Sequence, residues 1–134
     1  MIRYQDLQIL DYVLINGKIR RVEAITKRKV GYHITPTDHL HYARLCDVFP
    51  LEINEYILRT SGFCVDETKR RVHALFNNDK MRAEVFLFKN EDKNIEVIIT
   101  NKETNSCYVG GSLRYVHEIQ HIFKPCGLNF EIKL

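Results

Sequence analysis

"YVLINGKIRRVEAI", residues 12–25, sets two apolar, β-branched runs on either side of Asn16-Gly17. Asn-Gly between two such runs is a strong hairpin signal, because both central residues of a type I′ turn need positive φ and these two residue types tolerate it. The stretch predicts a strand over 12–15, a two-residue turn and a second strand over 18–25. Working outward, "KVGYHIT" (29–35) and "LHYARL" (40–45) read as two further short strands, divided by the turn-rich "PTDH" (36–39). Strands so short and so close together predict a small, strongly bent antiparallel sheet of the SH3-like barrel kind.

At "PLEINEYILRTSGF" (50–63) the period changes: Ile53, Tyr56 and Ile57 stand at helical spacing, and Gly62 is placed to cap the helix C-terminus. "RRVHALF" (70–76), "RAEVFLF" (82–88) and "IEVIIT" (95–100) then alternate as strands, joined by "NNDK" (77–80) and "NEDKN" (90–94), loops of hairpin length. They predict an antiparallel meander that "SCYV" (106–109) extends. A helix over about 113–124 follows, stopped by Pro125 and Gly127, and "NFEIKL" (129–134) closes the chain as a last strand. The expected class is α+β: bent β hairpins, then a meander with two helices, divided into subdomains 1–50 and 51–134 that form one compact unit.

A chain of 134 residues with 45% hydrophobic and 28% charged residues buries enough apolar surface to fold without staples. The longest apolar runs, such as "VFLF" (85–88), fall far short of the roughly 20 residues a membrane-spanning helix needs. Polar residues interrupt the first ten positions, so no secretory h-region is present, and a cytoplasmic protein without a membrane partner is expected. Cys46, Cys64, Cys107 and Cys126 contain no C-x-x-C pair and read as small buried hydrophobes rather than a disulfide framework.

One motif points to catalysis. "HEIQH" (117–121) matches H-E-x-x-H, in which two histidines one helical turn apart bind zinc and the glutamate activates the metal-bound water. At about 100° per residue, Tyr115, Val116, Ile119, Ile122 and Phe123 share one face, and His117 and His121 fall on the opposite one. A catalytic zinc needs a third protein ligand. The continuation offers Lys124 and Gly127 where a further Gly and His are required, and Glu131 is the only later acid; His33, His39, His41 and His73 stand upstream at no diagnostic spacing. The expectation is therefore no cofactor and a polar helix face. The alternative is a zinc-dependent hydrolase with His117 and His121 as ligands and Glu118 as general base.

Taken end to end, the chain resembles a family of small uncharacterised proteins abundant in Bacteroidetes and in their phages and mobile elements. "DLQILDYVLINGKIRRVEAI" (6–25), "PLEINEYILRTSGF" (50–63), "YVHEIQHIF" (115–123) and "GLNFEIKL" (127–134), in that order and spacing, carry the resemblance. In those proteins the position of Glu118 is often Gln and that of His121 often Asn, with His117 and Gln120 the usual pair. The resemblance implies a phage or mobile-element origin and no assigned activity.

Three other constellations have chemical meaning. In "YVGGSLR" (108–114), Gly110, Gly111 and Ser112 lead into a helix N-terminus with Arg114 in its first turn, an arrangement that attracts phosphate or carboxylate; the plainer reading is a tight turn capped by Ser112. His39 and His41, two apart on one strand with Cys46 nearby, allow two ligands to one metal, against the commoner loop histidines. Net charge is +3, but residues 1–46 hold eight Lys or Arg against four Asp or Glu, while the remainder holds twelve against thirteen. Lys18, Arg20, Arg21, Lys27, Arg28 and Lys29, interleaved with Tyr12 and Tyr32, form a basic ribbon suited to nucleic acid. Alternation sends Arg20 and Arg21 to opposite faces, and a guarded edge strand is the competing meaning. Together these readings predict a non-catalytic binding or accessory module whose partner, protein or nucleic acid, the sequence leaves open.

Overall fold

The computed structural model describes residues 2, 4–62, 64–89 and 95–132. It is an α+β protein of antiparallel sheets and two helices, and the chain divides into two compact units, residues 1–52 with 115–117, and residues 53–114 with 118–134.

The first unit holds six short strands: β1 (Tyr12–Ile15), β2 (Lys18–Arg21), β3 (Ala24–Ile25), β4 (Lys29–Tyr32), β5 (His41–Arg44) and β6 (Val48–Pro50). They form two three-stranded sheets, ordered β2-β1-β6 and β3-β4-β5. Asn16 and Gly17 take φ of 53° and 73°, so β1 and β2 are joined by the turn their sequence predicts. The single strand expected over 18–25 is split. Val22 donates its N–H to Asp11 and accepts from Leu10, whereas Glu23 donates to Gly31, so the chain leaves one ladder and joins the other between these two residues. This corner lets both sheets cover one apolar cluster of Ile2, Leu7, Val13, Ile15, Val22, Val30 and Val48, with Ile25, Tyr32, Ala43 and Leu45 at its margin. Each fully buried aliphatic side chain there contributes about 1.5–3 kcal/mol. β6 covers Val48 and Phe49, for which no element was expected, and ends at Pro50, the first residue of the helical window; Pro50 is tolerated because β6 is the edge of its sheet.

The second unit is built on a five-stranded antiparallel sheet, ordered β11-β10-β9-β8-β7, from β7 (Cys64–Glu67), β8 (Arg71–Asn77), β9 (Met81–Phe88), β10 (Ile95–Asn101) and β11 (Cys107–Leu113). The expected meander is present and gains β7. The loop expected over 90–94 lies outside the described residues. Val72, Ala74 and Phe76, Ala83, Val85 and Leu87, and Ile95, Val97 and Ile99 are buried at alternate positions, so one sheet face is the core face. Helix α1 (Glu55–Ser61) is shorter than its sequence window; Asn54 caps it, its Oδ1 accepting the Ile57 N–H at 2.9 Å. Gly62 follows α1 with φ −72°, not the left-handed value a glycine cap implies. Its role is space: a Cβ there would stand 2.9 Å from the Ala74 Cβ. The Glu67 carboxylate ties this region together, accepting from Lys89 Nζ at 2.6 Å and from both Arg59 Nε and Nη2. Those hydrogen bonds, Lys89 first and Arg59 next, lower its pKa from 4.5 to about 2.

Helix α2 (Val116–Phe123) continues as a 3-10 turn over Lys124–Cys126 that admits Pro125, and Gly127 ends it at φ 68°. Phe123, Phe76 and Phe130 form an aromatic cluster in the second unit, with ring centroids 4.9–6.1 Å apart. The strand expected over 129–134 is not formed at 129–132, and 133–134 lie outside the described residues. Leu128, Phe130 and Ile132 are nonetheless buried in alternation, as the apolar pattern of this stretch implies, although 129–132 are not assigned to a strand. The cysteines depart from expectation as well. Cys46 and Cys107 are exposed and Cys126 half-buried, all as free thiols, and the Cys64 side chain lies outside the described atoms. No helix among the described residues is long and apolar enough to cross a membrane.

Candidate functional site

α2 runs through all five residues of His-Glu-Ile-Gln-His, as the motif requires. The surroundings of its members differ from the expected solvent-facing arrangement. His117 belongs to the first unit and is only 7% exposed, its ring stacked on Tyr115 at 5.8 Å. The reason lies in that unit: Val116 donates its N–H to Leu51, and Glu52 bridges to Tyr115, so a chain segment runs beside the first turn of the helix. Helical periodicity assumes one covered stripe and cannot register a second.

Glu118, the would-be general base, reaches back toward the start of α2, where its Oε1 accepts the Arg114 N–H at 3.1 Å. This satisfies a backbone donor that precedes the helix, in the manner of a capping box. His121 lines a cleft of about 410 Å³ in the second unit, walled mainly by Met81, Ile99, Tyr108, Ile122 and Cys126. A catalytic zinc takes three protein ligands. Among the described residues no group of three or more His, Cys, Asp or Glu is placed to hold a metal.

Gly110, Gly111 and Ser112 do not form a turn at a helix N-terminus; all three lie within β11. Ile95 pairs with Leu113 and Val97 with Gly110, so two residues of β11, Gly111 and Ser112, face the single Glu96. That is a β-bulge, and Ser112 adopts the positive φ, 59°, that such a bulge accommodates. α2 begins only at Val116, which leaves Arg114 ahead of the helix rather than in its first turn.

Of the histidines, His41 is organised with His33 and Asp38, a grouping that the i, i+2 spacing of His39 and His41 did not suggest. Asp38 Oδ2 lies 3.1 Å from His41 Nε2 and its Oδ1 3.4 Å from His33 Nδ1. Partial burial pushes the Asp38 carboxyl up, but hydrogen bonds from His41, at the Thr35 backbone and from His33 outweigh it and hold the group below its usual range. The His39 and His41 rings are tilted 37° to one another with centroids 4.5 Å apart, and the Tyr32 centroid lies 5.8 Å from that of His41.

The basic ribbon lies on β2, an edge strand of its sheet, and around the turn that leads from β3 into the central strand β4. Arg20 pairs across from the core residue Val13 and Arg21 from Tyr12, so they do leave by opposite faces. Each finds a ring there: the Arg20 guanidinium sits 5.6 Å from the Tyr32 centroid, and that of Arg21 5.4 Å from the Tyr12 centroid. Lys27 and Arg28 occupy the exposed turn between β3 and β4 and Lys29 opens β4; the Thr26 Oγ1 accepts the Arg28 and Lys29 N–H groups. Lys18 is exposed at the Asn-Gly turn. Among the described residues none of these six cations is in an ion pair, whereas Arg44, Arg59 and Lys89 each are.

Compared with known proteins, the chain matches no protein-family model, no curated protein and no solved structure.

Proposed function

We propose that the chain is a non-catalytic binding module whose first unit holds nucleic acid through its bent basic hairpins, and that it descends from the phage and mobile-element proteins it resembles. The observation that carries the reading is the set of six cations, Lys18, Arg20, Arg21, Lys27, Arg28 and Lys29, without an acidic partner among the described residues. Cations left without protein counter-charges are available to phosphates, and displacing condensed counterions is the main source of non-specific affinity for nucleic acid. Two of them are held against tyrosine rings, which restricts their rotamers before a ligand arrives. The α2 motif has a structural part in this reading: Glu118 secures the chain ahead of the helix, and His117 fills a buried position.

The test is oligonucleotide binding between roughly 50 and 300 mM salt. Wild type is expected to lose affinity steeply with salt, and replacing Lys27, Arg28 and Lys29 together by Gln should reduce the slope of log K against log salt by about 2–3. Absence of binding at low salt, or affinity indifferent to salt, defeats the proposal.

A further inference from the structure

We infer that the outer face of the β3-β4-β5 sheet stacks an unpaired base on Tyr42, which makes single-stranded nucleic acid the ligand of the first unit. The inference rests on the nucleic-acid reading above and adds to it a site, a contact and a strand preference.

Register places Ala24, Gly31 and Tyr42 in one row across this sheet. Directly opposed residues share a face, so the row carries two small residues and then a phenol ring. A Cβ on residue 31 would stand 3.1 Å from the Tyr42 Cε1 and 3.5 Å from its Cδ1. The tyrosine ring therefore folds across the strand over the space that glycine leaves, and is not directed outward from the sheet. Tyr42 stays 56% exposed, too open for a core residue. One ring face is backed by the sheet and the other is free, which is how aromatic side chains on small β domains receive bases.

Charge complementarity identifies the occupant. Lys29 pairs with Arg44 on the same face, two register positions from Gly31 and Tyr42, and Lys27 and Arg28 continue from it into the turn. Arg44 shares an exposed ion pair with Asp47, through Nε at 3.1 Å. Leu45 donates its N–H to the Arg28 carbonyl, fixing the turn beside the start of β4. A polyanion crossing this face would meet cations at one end of the row and the ring beside them. A base held within a duplex cannot present its face to such a ring, whereas a single strand can turn one outward.

The deciding experiment measures fluorescence anisotropy of labelled oligo-dT and oligo-rU of about 15 nucleotides, and of a duplex of equal length, a span that covers one small β domain. It compares wild type, Tyr42→Ala and Tyr42→Phe, with the fold of each variant checked by circular dichroism. Wild type should bind single strands more tightly than the duplex. Tyr42→Ala should weaken single-strand binding by about 5- to 100-fold with the salt slope unchanged and the duplex affinity within about twofold, and Tyr42→Phe should remain within about twofold of wild type. No binding of any strand by wild type overturns the nucleic-acid reading and this inference with it. Binding that prefers the duplex, or that Tyr42→Ala leaves within twofold, overturns the inference alone.

Discussion

Replacing Gly62 by alanine adds one methyl group just past the end of α1, against β7 and β8, and its cost follows from what that methyl meets. Its neighbours would be the Ala74 Cβ at 2.9 Å, the Val65 Cγ2 at 3.0 Å and the Leu58 carbonyl oxygen at 3.2 Å. None of these is the end of a long flexible side chain, so relief requires the backbone of α1 or β8 to shift, an overpacking cost of about 1–3 kcal/mol. Against it stands a gain of about 0.4–1 kcal/mol, because alanine leaves the unfolded chain less entropy to lose. At φ −72° the residue carries no left-handed strain to confuse the comparison. The expected net effect is a destabilisation of about 1–2 kcal/mol. Urea unfolding followed by circular dichroism reads it, with Gly111→Ala as the matched control: a Cβ there meets nothing within 4 Å, so that variant should be neutral or slightly stabilised. If Gly62→Ala equals or exceeds wild type in stability, the close-packing account of that glycine is wrong.

Removing the α1 cap with Asn54→Ala should cost about 1 kcal/mol, read as a lower urea midpoint, because one of few N-terminal donors in a seven-residue helix loses its acceptor. The Glu67 pKa is depressed in the folded state, so its contribution to stability is complete above pH 4.5 and is lost as pH falls toward about 2. Thermal melts across that window should show this loss, and Glu67→Gln should flatten it; an unchanged slope would remove Glu67 from the acid response. Equimolar zinc should leave the thermal midpoint of the wild-type protein unmoved. A rise that His121→Ala abolishes would restore the metal reading, since a ligand bound only by the folded state must stabilise it.

Legibility in the sequence followed the range of the physics involved. Asn16-Gly17 specified its hairpin because turn chemistry is local, and the alternation in 70–76, 82–88 and 95–100 specified the meander because each strand pairs with its neighbour in the chain. β6 escaped because its three residues carry no period and its partner β1 lies far back, with Val13 opposite Pro50. The apolar stripe of α2 was read correctly at Val116, Ile119 and Phe123, while His117 was misplaced because a non-local segment covers it. Cys46 and Cys107 were placed inside on residue type alone, which says nothing of which strand face or turn they occupy. The candidate site was half visible. The charges could be counted, and the divergence of Arg20 and Arg21 followed from strand alternation. The seat of Tyr42 on Gly31 needed the β4–β5 register, which no pattern within either strand supplies. Asp38 became the partner of two histidines only once the loop over 33–41 had closed on itself.

The bulge at Gly111 and Ser112 also decides parity. Gly110 and Leu113 are three positions apart, so in a regular strand they would point to opposite sides of the sheet. With one residue to spare, both oppose core residues, Val97 and Ile95. The chain thus leaves β11 toward the side where Phe76 receives Phe123 of α2. Deleting that residue would keep the strand but reverse its exit, carrying the following helix toward the face of Arg71, His73 and Phe86. One amino acid in a glycine-serine stretch without apparent chemistry therefore determines which side of the sheet is roofed.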